Sequence, residues 1–449
     1  MNMNIVDNVV DDTRVNSFHL MIMFWCSMLM LFDGYDLVIY GSVLPELMAD
    51  WKLPAVTAGV IGSSALFGMM IGALSLGSSS DRFGRRRVIL TCLVVFSVAA
   101  LANGFCENST QFVVCRFFTG VGLGGMVPNI VALMTEMSPK RKRNIMVTVM
   151  LSCFSVGGVI AAVMGKVVTP TFGWRANFLI AGLSLLTFPL LFRWLPESIT
   201  FLLSNQRYVE ADRILRKLAP SYAGSANSLA ALSRGAAYEH KRSRAAQLFA
   251  EGRAQDTILI WIAFGMCMLM VYGLNTWLPK LMTASGYSIG SSLTFLITLN
   301  VGAVLGGLVS GWLADRWGGK RTLILFFLVA TVSIDLLGYK QNLAILNLLL
   351  MLAGATTIGT LCIVHAFAAQ FYPANIRSTG VGWAAAAGRF GAVAGPALGG
   401  YLVSQKFPVT FNFLVFAVPG VVAAIAIVLT SRPGKHVPVN AKVATVSAE

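Results

Sequence analysis

The chain has 449 residues, of which 56% are hydrophobic and only 12% charged, with a formal net charge of +15. A soluble protein carries about a quarter charged residues, so there is too little charge here to cover a soluble surface. The basic excess does not point to nucleic acid, because the Lys and Arg residues sit in short loops between apolar runs.

Those runs are about 20 residues long, the length that crosses a hydrocarbon core as a helix. The residues before Ser17 are acidic and polar without a cleavable leader pattern, so the first run is expected to persist as a helix. Spans are predicted near 18–44, 56–76, 88–106, 111–134, 145–168 and 174–195, then 257–278, 289–312, 322–339, 344–369, 379–403 and 409–430. Backbone groups in lipid must be satisfied within the segment, which makes these helices rather than open strands. The expected fold is an all-α integral membrane protein, with twelve transmembrane helices in two pseudo-symmetric six-helix bundles. It divides into a tail 1–17, a bundle 18–195, a linker 196–256, a second bundle 257–430 and a tail 431–449. The linker is basic; Tyr208 to Leu218 reads as an amphipathic helix and Pro220 to Ser228 as flexible.

An even number of spans puts both termini on one side. If that side is cytoplasmic, its loops and tails hold most of the 34 Lys and Arg residues, and the outer loops hold only Lys52, Lys280, Lys340 and Lys406. The positive-inside rule therefore predicts cytoplasmic termini in a cell inner (plasma) membrane. The seven cysteines lie in or beside apolar runs without a CxxC pair and read as small hydrophobes. Cys106 and Cys115 flank one short outer loop, where free thiols are expected over a bridge.

A shift of 234 residues lays one half on the other. Pro45 falls on Pro279, Gly68 on Gly302, Gly72 on Gly306, Gly120 on Gly354, Gly157 on Gly391 and Gly165 on Gly399. A parallel duplication of six helices accounts for this. Between the second and third spans stands GSSSDRFGRRR, from Gly77 through Asp81, Arg82, Gly84, Arg85 and Arg86 to Arg87, and an echo with Asp315 and Arg316 runs from Gly311 to Arg321. Glycine allows a tight turn, and the charges can pair between helices. Glu136, Pro139 and Arg143 follow the fourth span, and Gln370, Pro373 and Arg377 follow the tenth. Glu136 is placed to pair with an arginine of the motif as part of a cytoplasmic gate. Gln370 cannot do so, which predicts a weaker second lock.

Charges inside spans are costly and are read as functional first. Asp33 and Asp36 share one face of the first span, being three residues apart. Two buried carboxylates there make a protonatable pair suited to proton coupling, although Asp36 or Asp33 could instead pair structurally with Arg116 of the fourth span. Arg389, near the middle of the eleventh span, has no obvious acidic partner and favours an anionic substrate, whose carboxylate Arg389 or Arg116 is expected to bind. His365, Tyr35, Asn275 and Trp277 are further candidates for substrate contact.

The GSSSDRFGRR motif resembles the signature of the major facilitator superfamily, in which it belongs to an intracellular gate. The first-span run from Phe32 to Gly41 with Val43, Leu44 and Pro45, and the fourth-span run from Arg116 to Gly125 with Pro128 and Asn129, resemble the aromatic acid:proton symporters. The stretch from Gly273 to Lys280 looks most like benzoate transporters. The resemblance implies import of benzoate or a related acid such as 4-hydroxybenzoate, with protons, by a monomeric transporter that uses no cofactor and is not an enzyme. It also implies that Asp33, Asp36 and Arg116 matter to transport. Rival readings are proton-driven efflux, sugar transport and a membrane sensor of aromatic acids. No HExxH or P-loop pattern supports a membrane enzyme.

Overall fold

Hydrocarbon offers no partner to a peptide group, so long apolar stretches close their hydrogen bonds as helices. The computed structural model describes residues 9–220, 222, 224, 225, 227–229, 245–250, 252–372 and 376–431, and no strand occurs among them. Six long helical segments come first: α1 Ser17–Asp50, α2 Ala55–Gly77, α3 Arg85–Gly104, α4 Ser109–Met137, α5 Arg143–Phe172 and α6 Trp174–Trp194. Six more follow: α7 Ala254–Ala284, α8 Ile289–Trp317, α9 Gly319–Leu336, α10 Leu343–Phe371, α11 Arg377–Ser404 and α12 Val409–Leu429. Ten of the twelve are long and apolar enough to cross a membrane. The other two are α9, which carries Lys320, Arg321 and Asp335, and α11, which is rich in glycine and carries Arg389.

The ends depart from expectation where proline and irregular turns intervene. Helix α1 continues past Leu44 through Pro45 to Asp50, and α7 likewise runs through Pro279. Such prolines are tolerated in membrane helices because neighbours re-satisfy the freed carbonyls. The last turn of α2, Ala73–Gly77, is π-helical, and α6 is interrupted by a 3₁₀ stretch at Leu183–Thr187. The amphipathic segment Tyr208–Leu218 forms a helix with the expected bounds. Residues 221, 223 and 226 of the following stretch, and the tail beyond Ser431, lie outside the described residues.

The chain divides into two compact units, Met1–Leu53 with Val60–His240, and Pro54–Gly59 with Lys241–Glu449. Within each unit the same glycines set the closest helix approaches. A Cβ on Gly68 would collide with the carbonyl of Phe117, and one on Gly302 with that of Met351. Gly72 and Val121 correspond in the same way to Gly306 and Ala355, Gly120 and Ala65 to Gly354 and Leu299, and Gly157 and Leu31 to Gly391 and Gly265. Both members of every pair are shifted by 234, so the repeat in the sequence is a repeat of backbone contacts. Small residues permit this approach where apolar burial supplies little drive between helices.

Candidate functional site

In the first unit, α1 and α4 bring Asp36 and Arg116 together. Nη1 of Arg116 donates to both carboxylate oxygens, at 2.8 and 2.9 Å. Both side chains are at most 3% exposed. The guanidinium lies over the rings of Tyr40 and Phe178, 5.4 and 6.0 Å from their centroids. Phe112 meets Phe178, Trp174 and Trp51 edge to face and closes the cluster. Thus Arg116 is a partner of Asp36 rather than a free cation, although its buried Nε has no hydrogen-bond partner among the described residues. Asp33 is buried one turn earlier on α1. Tyr35 directs its hydroxyl to the carbonyl of Asn177, at 3.1 Å, and so ties α1 to α6.

At the other end of the same helices lies a polar cluster. Arg85, the first residue of α3, places Nη1 2.5 Å from Oε2 of Glu136 near the end of α4. Glu136 also accepts from the hydroxyls of Ser198 and Thr200 and from the amide of Thr200, at 2.7 to 3.0 Å. Glu197 accepts from the Arg86 amide at 3.0 Å, capping the start of α3. Its carboxylate fills the space beside Gly84, whose φ of +91° is a conformation that favours glycine. The expectation for Glu136 thus meets its arginine. Glu197, Ser198 and Thr200 were missed, although a Pro-Glu-Ser run directly after a span was a signal.

The remaining gate candidates have other positions. Arg86 reaches the carbonyl of Phe192 in the last turn of α6. Arg143 pairs with Asp11 and bonds the carbonyl of Ser138. Arg82 and Arg316 are exposed and lie over Phe83 and Trp312. Gly77 ends the π-helical turn beside Pro128, and Asp315 is exposed. The side chains of Asp81 and Arg377, and Pro373, lie outside the described residues.

In the second unit, Arg389 sits midway along α11, and its Nη1 is buried with no hydrogen-bond partner among the described residues. A Cβ on the preceding residue, Gly388, would meet Phe264 of α7 at 3.3 Å, which places that ring beside this turn of α11. Nδ1 of His365 lies 2.8 Å from the carbonyl of Leu361, and its ring meets Phe264 of α7 edge to face at 4.8 Å. Asn275 and Trp277 are committed within the bundle. Asn275 donates to the carbonyl of Val271 and accepts from Asn300, and Trp277 donates to the carbonyl of Pro396. At the end of the unit, Lys320 bonds the carbonyls of Val428 and Thr430 at 3.0 and 2.5 Å. It is the 234-residue counterpart of Arg86 and closes α12 as Arg86 closes α6. Position 319, however, is glycine where the first unit has Arg85, and position 370 is glutamine where it has Glu136.

Two repeated six-helix units with buried charges and no strand among the described residues define a multi-pass helical membrane transporter. The Major Facilitator Superfamily profile matches residues 26–334 and 294–448. The chain is 39% identical to the benzoate transport protein of Acinetobacter baylyi, over 94% of its own length and 92% of the relative's. It is 35% identical to the gentisate transporter of Corynebacterium glutamicum, over 92% and 88%. Among solved structures it is similar to the Escherichia coli xylose transporter in a partially occluded inward-open conformation. The TM-score there is 0.73 at 19% identity, covering 94% and 99% of the two chains, a likeness of fold. The protein belongs to the Major Facilitator Superfamily, and it is a transporter of a small molecule rather than an enzyme.

Proposed function

We propose that the protein imports a small aromatic carboxylate, benzoate first among them, together with protons by alternating access. The observation that carries the carboxylate is Arg389. A permanently charged planar fork with one nitrogen left unsatisfied in an apolar helix bundle calls for an anion. The rings of His365 and Phe264 beside this region suit an aromatic body. The two relatives are named for benzoate and gentisate, both aromatic carboxylates, and identity is higher to the first.

Proton coupling is assigned to Asp33 and Asp36. A proton on Asp36 would cancel its pairing with Arg116, so protonation and the arrangement of α1 against α4 are linked. A ligand shifts such an equilibrium only if it binds the two states differently. The charge distribution supports an inner (plasma) membrane protein with cytoplasmic termini, and it is proposed to act as a monomer in the bilayer.

The test is uptake of labelled benzoate into liposomes of the purified protein under an inward proton gradient, with unlabelled acids as competitors. Accumulation should be abolished by a protonophore and blocked by benzoate before hydroxylated acids. Arg389→Gln should raise KM by about tenfold or more, as expected when a charge-assisted bond to substrate is lost. No gradient-driven uptake of any aromatic acid by folded protein, or an unchanged KM in Arg389→Gln, would overturn the proposal.

A further inference from the structure

None of the seven cysteines takes part in the transport scheme, and all are free thiols in the structure. Two of them nevertheless meet. Sγ of Cys106, two residues beyond the end of α3, lies 3.7 Å from Sγ of Cys115 in the second turn of α4. Cys106 is 4% exposed, whereas Cys115 is half-buried. The short connection between them is pinned from both sides. The Cys106 amide donates to the carbonyl of Asn103, and Arg175 of α6 reaches the Cys106 carbonyl at 3.4 Å. Asn103 donates to the Thr119 hydroxyl at 3.1 Å, and that hydroxyl donates to the carbonyl of Cys115 at 2.8 Å. The two sulfurs are thus held face to face by the backbone around them.

We propose that Cys106 and Cys115 are a thiol pair that cycles to an intramolecular disulfide by exchange with a small-molecule or protein disulfide, stapling the end of α3 to the start of α4. A disulfide bond is about 2.05 Å long, so the sulfurs close by less than their present separation through side-chain rotation at the half-buried Cys115. The thiolate of Cys115, its proton lost to solvent, attacks the sulfur–sulfur bond of the reagent and releases one thiol. The sulfur of Cys106 then loses its proton, attacks the mixed disulfide and releases the second thiol. Two cysteine thiols are oxidised, and one disulfide is reduced to two thiols. Burial first, and then the neighbouring Cys115, push the Cys106 thiol up to about 12, with the Arg175 guanidinium opposing. The half-buried Cys115 is open to the reagent and is the attacking group, and the 4% exposed Cys106 is the resolving one.

The staple lies wholly within the first unit, so it does not tie the two units together and transport continues in either redox form. Its effect is on stability, through a short closed loop. In the proposed orientation this end faces the outer compartment, where disulfides persist; the pairing itself does not rest on that orientation.

The experiment uses the purified full-length protein incubated with oxidised glutathione, then unfolded, alkylated and mapped by peptide mass. The expected result is loss of two alkylatable thiols in one link between Cys106 and Cys115, reversed by dithiothreitol and absent in Cys115→Ser. The oxidised protein should melt a few degrees higher, and Cys106→Ser should abolish that shift. Lasting glutathione on Cys115, or both thiols still alkylatable in protein that unfolds cooperatively, would overturn the proposal. Benzoate uptake is measured on the same samples, and its failure in both redox forms would count against the transport reading while leaving the thiol result intact.

Discussion

The pairing of Asp36 with Arg116 makes a quantitative prediction, because the second unit supplies its own control. Adding 234 to each position gives Met270 and Leu350, and both are fully buried. The fold therefore already accepts an apolar pair at the equivalent place. Removing one partner from a buried ion pair strands the other charge and costs about 3–5 kcal/mol. No discount for solvent applies, since both side chains are at most 3% exposed. Asp36→Met alone and Arg116→Leu alone should each lower the melting temperature by roughly 3–10 °C.

The double variant carrying both changes should return to within about 1 kcal/mol of the parent, because apolar replacement of a buried pair is often neutral or stabilising. The coupling between the two sites would then be several kcal/mol, far beyond the few tenths expected of independent positions. The assay is thermal unfolding of the four purified proteins, followed by proton-driven uptake in liposomes. The double variant should be folded and inactive. If its destabilisation equals the sum of the singles, the aromatic cluster rather than the ion pair sets the stability. If it transports with normal proton dependence, Asp36 is not the coupling group.

Three further outcomes are expected. Glu136→Gln keeps the shape but removes the charge from a carboxylate with four donors, and should cost about 1–3 kcal/mol in thermal unfolding; an unchanged melting point would refute that. Gly120→Val should abolish monodisperse protein on size exclusion, because its Cβ collides with the Ala65 carbonyl, whereas Gly290→Ala meets open space and should gain roughly 0.5–1 kcal/mol. Lys320→Met should loosen the end of α12 by about 1 kcal/mol, read as faster amide exchange confined to its last turn.

Much of this architecture was legible because two signals are strong in a membrane chain. Twenty-residue apolar runs have only one use of their backbone, and a repeat of glycines at a fixed offset reports helix contacts that any Cβ would break. Edges were less legible: the expected edge at residue 44 falls just before Pro45, yet α1 runs through that proline to Asp50. The charges were legible as a set of candidates and not as a set of partners. Periodicity could bring Asp36 to one face of α1, but only helix packing decides that Arg116 reaches it. For Trp277 and Tyr35, single hydrogen bonds to the carbonyls of Pro396 and Asn177 anchor the polar end of each side chain, and no sequence period encodes them.

The two units agree in what packs and disagree in what is charged. The same four glycine contacts recur at the same offset, yet Asp36, Arg116, Arg85 and Glu136 become Met270, Leu350, Gly319 and Gln370. Conversely Arg389 has Ser155 as its counterpart, and His365 has Val131. Packing must repeat because both halves solve the same problem of bringing helices together in lipid. Charge need not repeat, and each buried charge is expensive, so under the proposed function one set in each half would separate two tasks. The acid pair and its arginine occupy the first unit, and Arg389, whose Nη1 has no hydrogen-bond partner among the described residues, occupies the second. On the proposed reading the first set serves the proton and the second the anion, and a duplicated scaffold lets each half specialise without disturbing the contacts they share.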